Sequence, residues 1–231
     1  MKARNLFHVL CAAVAFMGVM FAAPASLGQA LQLGINVQLA VTSNGIAVPA
    51  ADKEGSAIVT VTEIGGVYFG PDLVAPNELV EAIRGGVSQQ MEKQLYVKAD
   101  ARAHYASVWN VLGAARSAGA NRVTLLTSQA ELPKPRVLVP PYGVDVLMNA
   151  RTSGVDVEVL GSGQPRPVVK INNESVAWAN LQDTLKQVIQ KRTEKVVVLR
   201  AEGGLPFATV AQVIDICRSV GAEVVLLTAA I

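Results

Sequence analysis

The stretch Val97-Lys98-Ala99-Asp100, followed closely by Tyr105-Ala106-Ser107-Val108, decides the fold because the chain contains it twice. The second occurrence lies 102 positions further on, from 97 to 199, and reads Leu199-Arg200-Ala201-Glu202 and then Phe207-Ala208-Thr209-Val210. A repeat of this length is too long for a solenoid unit and suits a small complete domain. The sequence therefore predicts two similar modules in tandem.

The repeat continues through a helix and a final strand. Arg116-Ser117-Ala118-Gly119-Ala120 returns as Arg218-Ser219-Val220-Gly221-Ala222, and Leu125-Leu126-Thr127 returns, after a one-residue deletion, as Leu226-Leu227-Thr228. Gly119 and Gly221 stand where a left-handed helix C-cap is needed. Apolar residues recur at helical spacing before them, namely Tyr105, Val108, Trp109, Leu112 and Ala115, and then Phe207, Val210, Ile214 and Cys217. A strand, this helix and another strand with short connections predict a parallel crossover.

The upstream part of each module is predicted to hold an alternating strand, a β-hairpin and a first helix. The strands are residues 34–37 and 143–146. The hairpins join Ile58–Val61 to Val67–Phe69 about Gly65-Gly66, and Val168–Ile171 to residues 176–178 about Asn172-Asn173. The first helices follow Asn77 and Asn180, and Asn180 is expected to cap the second of them. Each module is thus an α+β unit of ββαβαβ type, a mixed sheet with two helices on one face.

Four segments follow from this organisation. Residues 1–30 are an export signal or N-terminal membrane anchor, 31–129 are module 1, 130–142 are a linker and 143–231 are module 2. The linker contains Pro133, Pro135, Pro140 and Pro141. Prolines in such density favour an extended, semi-rigid spacer, which is expected to hold the two modules apart.

The N-terminus reads as an export segment. Lys2 and Arg4 precede an apolar run over residues 6–23 that only His8 interrupts, and 23–25 and 28–30 are both acceptable cleavage sites. The run of 18 residues is long for a signal core and short for a membrane helix, so both alternatives stay open. In either case the positive end stays inside, and the bulk of the chain lies outside the cytoplasm.

The bulk composition excludes two classes of protein. Hydrophobic residues make up 51% of the 231 residues and charged ones 16%, which is a core-forming composition and not that of a disordered chain. Lys2 and Arg4 account for two of the twenty basic residues, so eighteen basic residues then face eighteen acidic ones. A neutral body without a basic run argues against nucleic acid as a partner.

The sequence offers no convergent set of catalytic groups. His104 is the only histidine outside the export segment, and Pro206 replaces it in module 2. No cluster of His, Cys and Asp has metal-ligand spacing, and neither Gly65-Gly66 nor Gly85-Gly86 matches a phosphate-binding pattern. We therefore expect no catalytic residue, metal or cofactor.

Cys217, the only cysteine of the body, lies on the apolar face of a predicted helix and is expected to pack there.

Four residues stand out as candidates for binding a partner. Asp100 and Glu202 keep a carboxylate just after a central strand, and strand ends in parallel crossovers are frequent functional positions. The alternative for both is that the carboxylate stabilises the positive end of the following helix. Tyr105 and Phe207 begin that helix and complete the candidate set.

These motifs resemble the periplasmic domain of the ExbD/TolR biopolymer-transport family. The matching text is residues 96–100, 105–108, 118–119 and 123–127, and again 199–202, 205–207, 220–221 and 224–228. The resemblance covers most of residues 34–128 and 143–229 and is stronger because it occurs twice. It implies a small dimerising α/β module in the bacterial envelope that works with an ExbB/TolQ-type channel protein and engages TonB- or TolA-like proteins or the cell wall.

One family feature is missing from the sequence. The resemblance implies a single membrane helix with an aspartate that couples to the proton gradient, and residues 6–23 contain no acid. A carboxylate is the group that takes up and releases a proton inside a membrane, which Leu, Val, Met and Phe do not do. Coupling activity is therefore not carried over to this chain.

Three functions are left as hypotheses. The first is a non-enzymatic envelope protein that acts by protein or cell-wall contact, with exposed edge strands of each sheet as the binding surface and with the two modules pairing in place of a homodimer. The second is an exported small-molecule-binding module whose site includes Asp100 and Glu202. The third is an exported hydrolase whose site is too dispersed to recognise.

Overall fold

The computed structural model describes residues 35–88, 90–120, 122–130, 140–147, 154–162 and 166–227. Module 1 contains the strands β1 (Val41–Thr42), β2 (Ile46–Ala47), β3 (Ile58–Val61), β4 (Val67–Phe69), β5 (Asp72–Leu73), β6 (Gln94–Ala99) and β7 (Arg122–Gln129). Module 2 contains the strands β8 (Tyr142–Leu147), β9 (Val155–Leu160), β10 (Val168–Ile171), β11 (Glu174–Val176), β12 (Val196–Ala201) and β13 (Glu223–Leu226).

Each module contributes two α-helices, in the order that the sequence predicts. They are α1 (Leu79–Ser88) and α2 (Tyr105–Ser117) in module 1, and α3 (Leu181–Gln190) and α4 (Phe207–Ser219) in module 2. In module 1 strand β6, helix α2 and strand β7 form a parallel crossover, and in module 2 strand β12, helix α4 and strand β13 form another. The α+β class and the parallel crossovers are therefore confirmed.

The strands of both modules form one sheet. Its order is β11-β10-β9-β12-β13-β8-β7-β6-β3-β4-β5, with β1 beside β7 and β2 beside β8. Strand β8 links the halves because it pairs antiparallel with β7 along most of its length and parallel with β13 through Val225 and Leu147. This continuous sheet contradicts the expectation that the linker holds the two modules apart, and it agrees with the other hypothesis, in which the two modules pair with each other. Residues 131–139 of that linker lie outside the described residues.

The pairing register corrects the predicted match between the hairpins. Strand β3 pairs parallel with β6, and strand β9 pairs in the same way with β12. Strand β9 is thus the counterpart of β3, and β10 is the counterpart of β4, not of β3 as the sequence suggested. The error arose because Val168–Ile171 and Ile58–Val61 alternate alike. The intervening β9–β10 connection is the longer one, so sequence similarity alone did not set the register.

The first strand predicted for module 1 is also corrected. Residues 35–37 are not in a strand; an isolated antiparallel bridge joins Leu39 to Asp100, and the first strand begins at Val41. Its predicted counterpart, residues 143–146, does lie in β8. Strand β8 already occupies the seam between the modules. The leading segment of module 1, residues 35–47, therefore forms only the short strands β1 and β2, which pair with the ends of β7 and β8.

All four helices cover the same face of the sheet. Leu79, Ile83 and Val87 of α1 and Leu181, Leu185 and Ile189 of α3 are buried in one continuous core with residues of α2 and α4. Alternate residues of the strands point into this core, as the period of a strand requires. The helix-covered face is therefore the main hydrophobic core, and it runs through both modules.

The opposite face is covered in module 1 by the segment that contains a 3-10 turn at Pro49–Asp52. Val48 and Ala51 of this segment pack on Ile58, Tyr96 and Leu126 of the sheet. We call residues 48–57 the cover segment. It forms a second, smaller core on the side of the sheet that has no helix.

The predicted helix ends are confirmed at the C-termini and corrected at one N-terminus. Gly119 and Gly221 have φ of 80° and 79°, the left-handed conformation that glycine adopts without strain. Asn180 does occupy the N-cap position of α3, but its side chain makes no capping hydrogen bond.

Cys217 is buried as predicted, and burial raises the pKa of its thiol to about 12.

Among the residues that the structure describes, no helix is both long and apolar enough to cross a membrane. The predicted export segment, residues 1–30, lies outside them.

Candidate functional site

The two copies of the most repetitive sequence meet at the N-termini of α2 and α4. The amide of Tyr105 donates to the carbonyl of Leu205 at 2.8 Å, and the amide of Phe207 donates to the carbonyl of Ala103 at 2.8 Å. Tyr105 is equivalent to Phe207, and Ala103 is equivalent to Leu205. The two hydrogen bonds are therefore the same bond made once in each direction.

A second reciprocal pair lies beside the first. The amide of Ala106 donates to the carbonyl of Gly203 at 2.9 Å, and the amide of Ala208 donates to the carbonyl of Ala101 at 2.9 Å. We call residues 101–106 and 203–208 the junction. At its centre the equivalent residues 104 and 206 form an isolated antiparallel bridge, so a pseudo-twofold axis passes between them.

The junction provides hydrogen-bond acceptors for the first turns of α2 and α4. The first turn of a helix has amide groups without partners inside the helix, and a buried amide without a partner costs about 1–3 kcal/mol. At the junction the opposite module supplies the missing carbonyls. His104 adds an exposed contact, since its Nδ1 lies 3.2 Å from the carbonyl of Gly204.

Two of the four predicted partner-binding residues lie inside the protein. The side chains of Tyr105 and Phe207 are buried in the core. The Tyr105 ring packs against Trp109 with 5.8 Å between the ring centroids, and burial raises the pKa of its hydroxyl. In this conformation both rings hold the first turns of α2 and α4 in place and present no surface to a partner.

Asp100 is also occupied within module 1. Its carboxylate accepts hydrogen bonds from the amide of Gln38 at 3.1 Å and from the amide and Nε of Arg102, both at 3.0 Å. Arg102 in turn reaches Glu63 at 2.9 Å. The hydrogen bonds from the Arg102 side chain hold the pKa of Asp100 below its usual value. Asp100 therefore organises the end of β6 and does not cap α2.

Glu202 is the exposed member of the predicted set. Its Oε2 accepts a hydrogen bond from the amide of Gly161 at 2.6 Å, which fixes the end of β9. Of the four candidates, Asp100, Tyr105, Glu202 and Phe207, only Glu202 has an exposed side chain, so any direct contact with a partner falls to it in this conformation.

Sequence reasoning missed a carboxylate that joins the modules. Asp215 of α4 is buried, and its oxygens accept hydrogen bonds from the amides of Ser43 and Asn44, both at 2.9 Å, and from Asn44 Nδ2 at 3.1 Å. It thereby clasps the turn between β1 and β2 of module 1 to a helix of module 2. One sequence signal was available, because Asp215 interrupts the apolar repeat where module 1 has Gly113.

A second missed feature is a charged pair beneath the cover segment. Lys98 is buried on the face opposite the helices, and burial lowers the pKa of its amine, an effect that Asp52 of the cover segment partly offsets. Burial likewise raises the pKa of Asp52, and its Oδ1 has no hydrogen-bond partner. Thr60, which faces Lys98 across β3 and β6, has a buried hydroxyl that also lacks one.

The sheet ends in two short edge strands at equivalent positions. The two residues that flank a two-residue hairpin turn exchange backbone hydrogen bonds. Along the strands, pairs that exchange hydrogen bonds alternate with pairs that do not. Asp72 pairs with Phe69, and Glu174 pairs with Ile171. The next residues, Leu73 and Ser175, therefore direct their amide and carbonyl groups outward. In the part of the chain that the structure describes, β5 and β11 thus end the main strand order, one in each module.

Metal-ligand clusters and surface depressions are two further kinds of candidate site among the described residues. No group of three or more His, Cys, Asp or Glu side chains in them is placed to hold a metal ion. A shallow depression lies between the β4 and α1 region and the cover segment, lined by Gly55, Ser56, Phe69, Glu81 and Gly86 among others. The Ser56 hydroxyl there donates to the carbonyl of Ala50 at 2.6 Å, and Glu81 forms an ion pair with Arg84, so neither group is bonded to the other.

Comparison with protein families agrees with this duplicated architecture. The family model for biopolymer transport protein ExbD/TolR matches residues 10–130 and, separately, residues 138–230. No curated protein and no solved structure matches the chain. Since the two matches together span most of the sequence and each falls on one module, this chain belongs to the ExbD/TolR biopolymer-transport family.

Proposed function

We propose that this protein is a non-enzymatic cell-envelope component of a Ton/Tol-type transport system, which acts through protein contacts made by its two modules. The observation that carries this proposal is the match of both modules to the ExbD/TolR family. The contacts of Asp100, Asp215 and Glu202 are compatible with it, since these three carboxylates hold strand ends and loops in place.

The proposed partners are an ExbB/TolQ-type channel protein in the inner membrane and a TonB- or TolA-like protein, with the cell wall as a further contact. The bulk of the chain would lie on the periplasmic side, anchored by residues 1–30 or free in the periplasm after their cleavage. Because residues 6–23 contain no acid, the protein would contribute binding and not proton coupling.

The free edges of the sheet are the proposed binding surface. Leu73 and Ser175 each present an outward amide and carbonyl group, and unpaired groups of this kind favour addition of a strand from another protein. Glu174 and Ser175 are exposed, and Leu73 is 68% exposed. An extended segment of a partner could thus pair with either module.

Affinity purification of the tagged chain from its native membrane tests the proposal. We expect an ExbB/TolQ-type or a TonB/TolA-type protein in the eluate. Leu73→Pro and Ser175→Pro remove the outward amide without removing a hydrogen bond of the sheet and should reduce recovery of the partner, whereas Leu73→Ala and Ser175→Ala keep that amide and should not.

Recovery of neither type of partner would contradict the proposed function. Recovery that is equal for the proline and alanine variants would leave the family role and move the contact away from the edges. A thermal shift with a metabolite, together with no partner protein, would instead support the small-molecule-binding hypothesis.

A further inference from the structure

We propose that the chain pairs with itself at the place where a single module would need a second copy, so that the protein is a monomer and accepts no other ExbD/TolR-type module at the junction. The family model matches each module separately, so one family unit is about half of this chain. The inference concerns the state of the protein before it meets any partner and does not rest on the proposed function.

The first argument is the symmetry of the hydrogen bonds. Four backbone bonds of 2.8–2.9 Å join the modules, and each has its equivalent in the opposite direction. Reciprocal contact between equivalent groups is the mark of a twofold interface between two copies of one unit. Here both copies belong to a single chain. Since the bonds use backbone atoms, they survive the sequence differences between the modules.

The second argument is what an isolated module would expose. Without module 2, the amides of Tyr105 and Ala106 would lose their carbonyl partners at the start of α2. The core also runs through both modules, with Tyr105 and Phe207 each almost fully buried in it. One module alone would therefore expose both unpaired amides and apolar surface to solvent, and association with a second module would be favourable.

The third argument is that the junction is already full. A Cβ atom placed on Gly203 would come within 3.1 Å of the Cβ of Ala106, so the two modules are already in close contact at this point. Strand β8 closes the same seam on the sheet side because it pairs with strands of both modules. The Asp215 clasp adds a further contact between the modules. Another family unit would have to displace all three.

Native mass spectrometry and amide hydrogen exchange on the full chain in a mild detergent test the proposal. We expect the mass of one chain, no co-purification of two differently tagged copies, and slow exchange at the amides of Tyr105, Ala106, Phe207 and Ala208. The variant Gly203→Leu should exchange at least about tenfold faster at these amides, as loss of a hydrogen bond predicts.

Gly204→Leu is the matched control. A Cβ atom on Gly204 meets nothing within 4 Å, so this variant should exchange like the unmodified chain. A mass of two chains, or co-purification of the two tagged copies, would overturn the proposal. Equal exchange in the two leucine variants would do so as well. If Gly203→Leu does not fold, the mass and exchange of the unmodified chain still decide.

Discussion

Modules 1 and 2 share one framework but differ on the face of the sheet that has no helix. Lys98 in β6 and Arg200 in β12 occupy equivalent positions. Lys98 is buried beneath the cover segment, whereas Arg200 is exposed and pairs with Asp156 at 3.2 Å. Lys170 and Glu158 form another ion pair on the strands of module 2. The helix face thus keeps its apolar character in both copies, and the opposite face has diverged.

A second difference lies in the helices that meet at the junction. Module 2 has Asp215 where module 1 has Gly113, and only Asp215 holds the leading segment of the other module. Module 1 has Trp109 where module 2 has Ala211. These differences show that the pairing of the modules is symmetric in its backbone but asymmetric in its side chains. Substitutions at equivalent positions should therefore have unequal effects.

The largest effect is expected for the core of the junction. Phe207→Ala removes a fully buried ring and should lower the free energy of unfolding by about 3–5 kcal/mol. Urea denaturation followed by circular dichroism measures this change. A loss below about 1 kcal/mol would contradict the tightly packed junction described here.

The clasp between the modules should show the next largest effect. Asp215→Ala leaves the amides of Ser43 and Asn44 without their acceptor and should destabilise the protein by about 1–3 kcal/mol. The hydrogen-exchange rates of these two amides should increase more than those of the amides in the sheet. At the equivalent position of module 1, Gly113→Ala should instead stabilise by about 0.5–1 kcal/mol, because this helical glycine has free space around it. Destabilisation by both would show that the positions are not as different as their contacts indicate.

The pH dependence of stability should separate two carboxyl groups of module 1, those of the buried Asp100 and the half-buried Asp52. The pKa of Asp100 is lowered, so its contribution is present above its ordinary pKa, which is about 3.9, and is lost as the pH falls through the folded value. Below about pH 4, the melting temperature of the unmodified chain should therefore fall more than that of Asp100→Asn.

Asp52 should behave in the opposite sense. Its pKa is raised by burial, so its contribution is present below its ordinary pKa and is lost as the pH rises through the folded value. Relative to Asp52→Asn, the unmodified chain should lose stability as the pH increases from about 4. Parallel profiles for the two variants would refute the difference between the two sites.

The smallest effect is expected for the hydroxyl of Tyr105. This group is buried without a hydrogen-bond partner among the described residues, so Tyr105→Phe removes an unsatisfied polar group and makes the residue identical to its counterpart Phe207. The melting temperature should stay the same or rise, by the equivalent of no more than about 1 kcal/mol. A clear fall would show that the hydroxyl has a partner.

Local patterns in the sequence predicted the local structure well. The apolar spacing placed the four helices, and Gly119 and Gly221 ended α2 and α4 as expected. The duplication was equally visible, because both copies bury the same side chains. Pairing of the modules was one of the hypotheses, beside a linker that holds them apart, but the sequence did not reveal which groups make the contact.

The missed features share one physical cause. The junction consists of backbone hydrogen bonds between residues about 100 positions apart, and backbone groups are the same at every position and leave no pattern to recognise. Tyr105 and Phe207, which were predicted to contact a partner, are buried, and the sequence did not reveal this for a different reason, because a repeated aromatic residue is equally compatible with a binding surface and with a core. Asp215 did leave a trace, as a charge within an apolar repeat.

Formation of a disulfide across the junction tests the central claim most directly. The variant carries His104→Cys and Pro206→Cys, with Cys11→Ser and Cys217→Ala to remove the native thiols. Residues that face each other in an antiparallel bridge have Cα atoms about 4.5–5.5 Å apart, which suits a disulfide. Mild oxidation should give a cross-link within one chain, seen by mass spectrometry of peptides and by the absence of a covalent dimer. A disulfide between two chains, or none at all, would contradict the account.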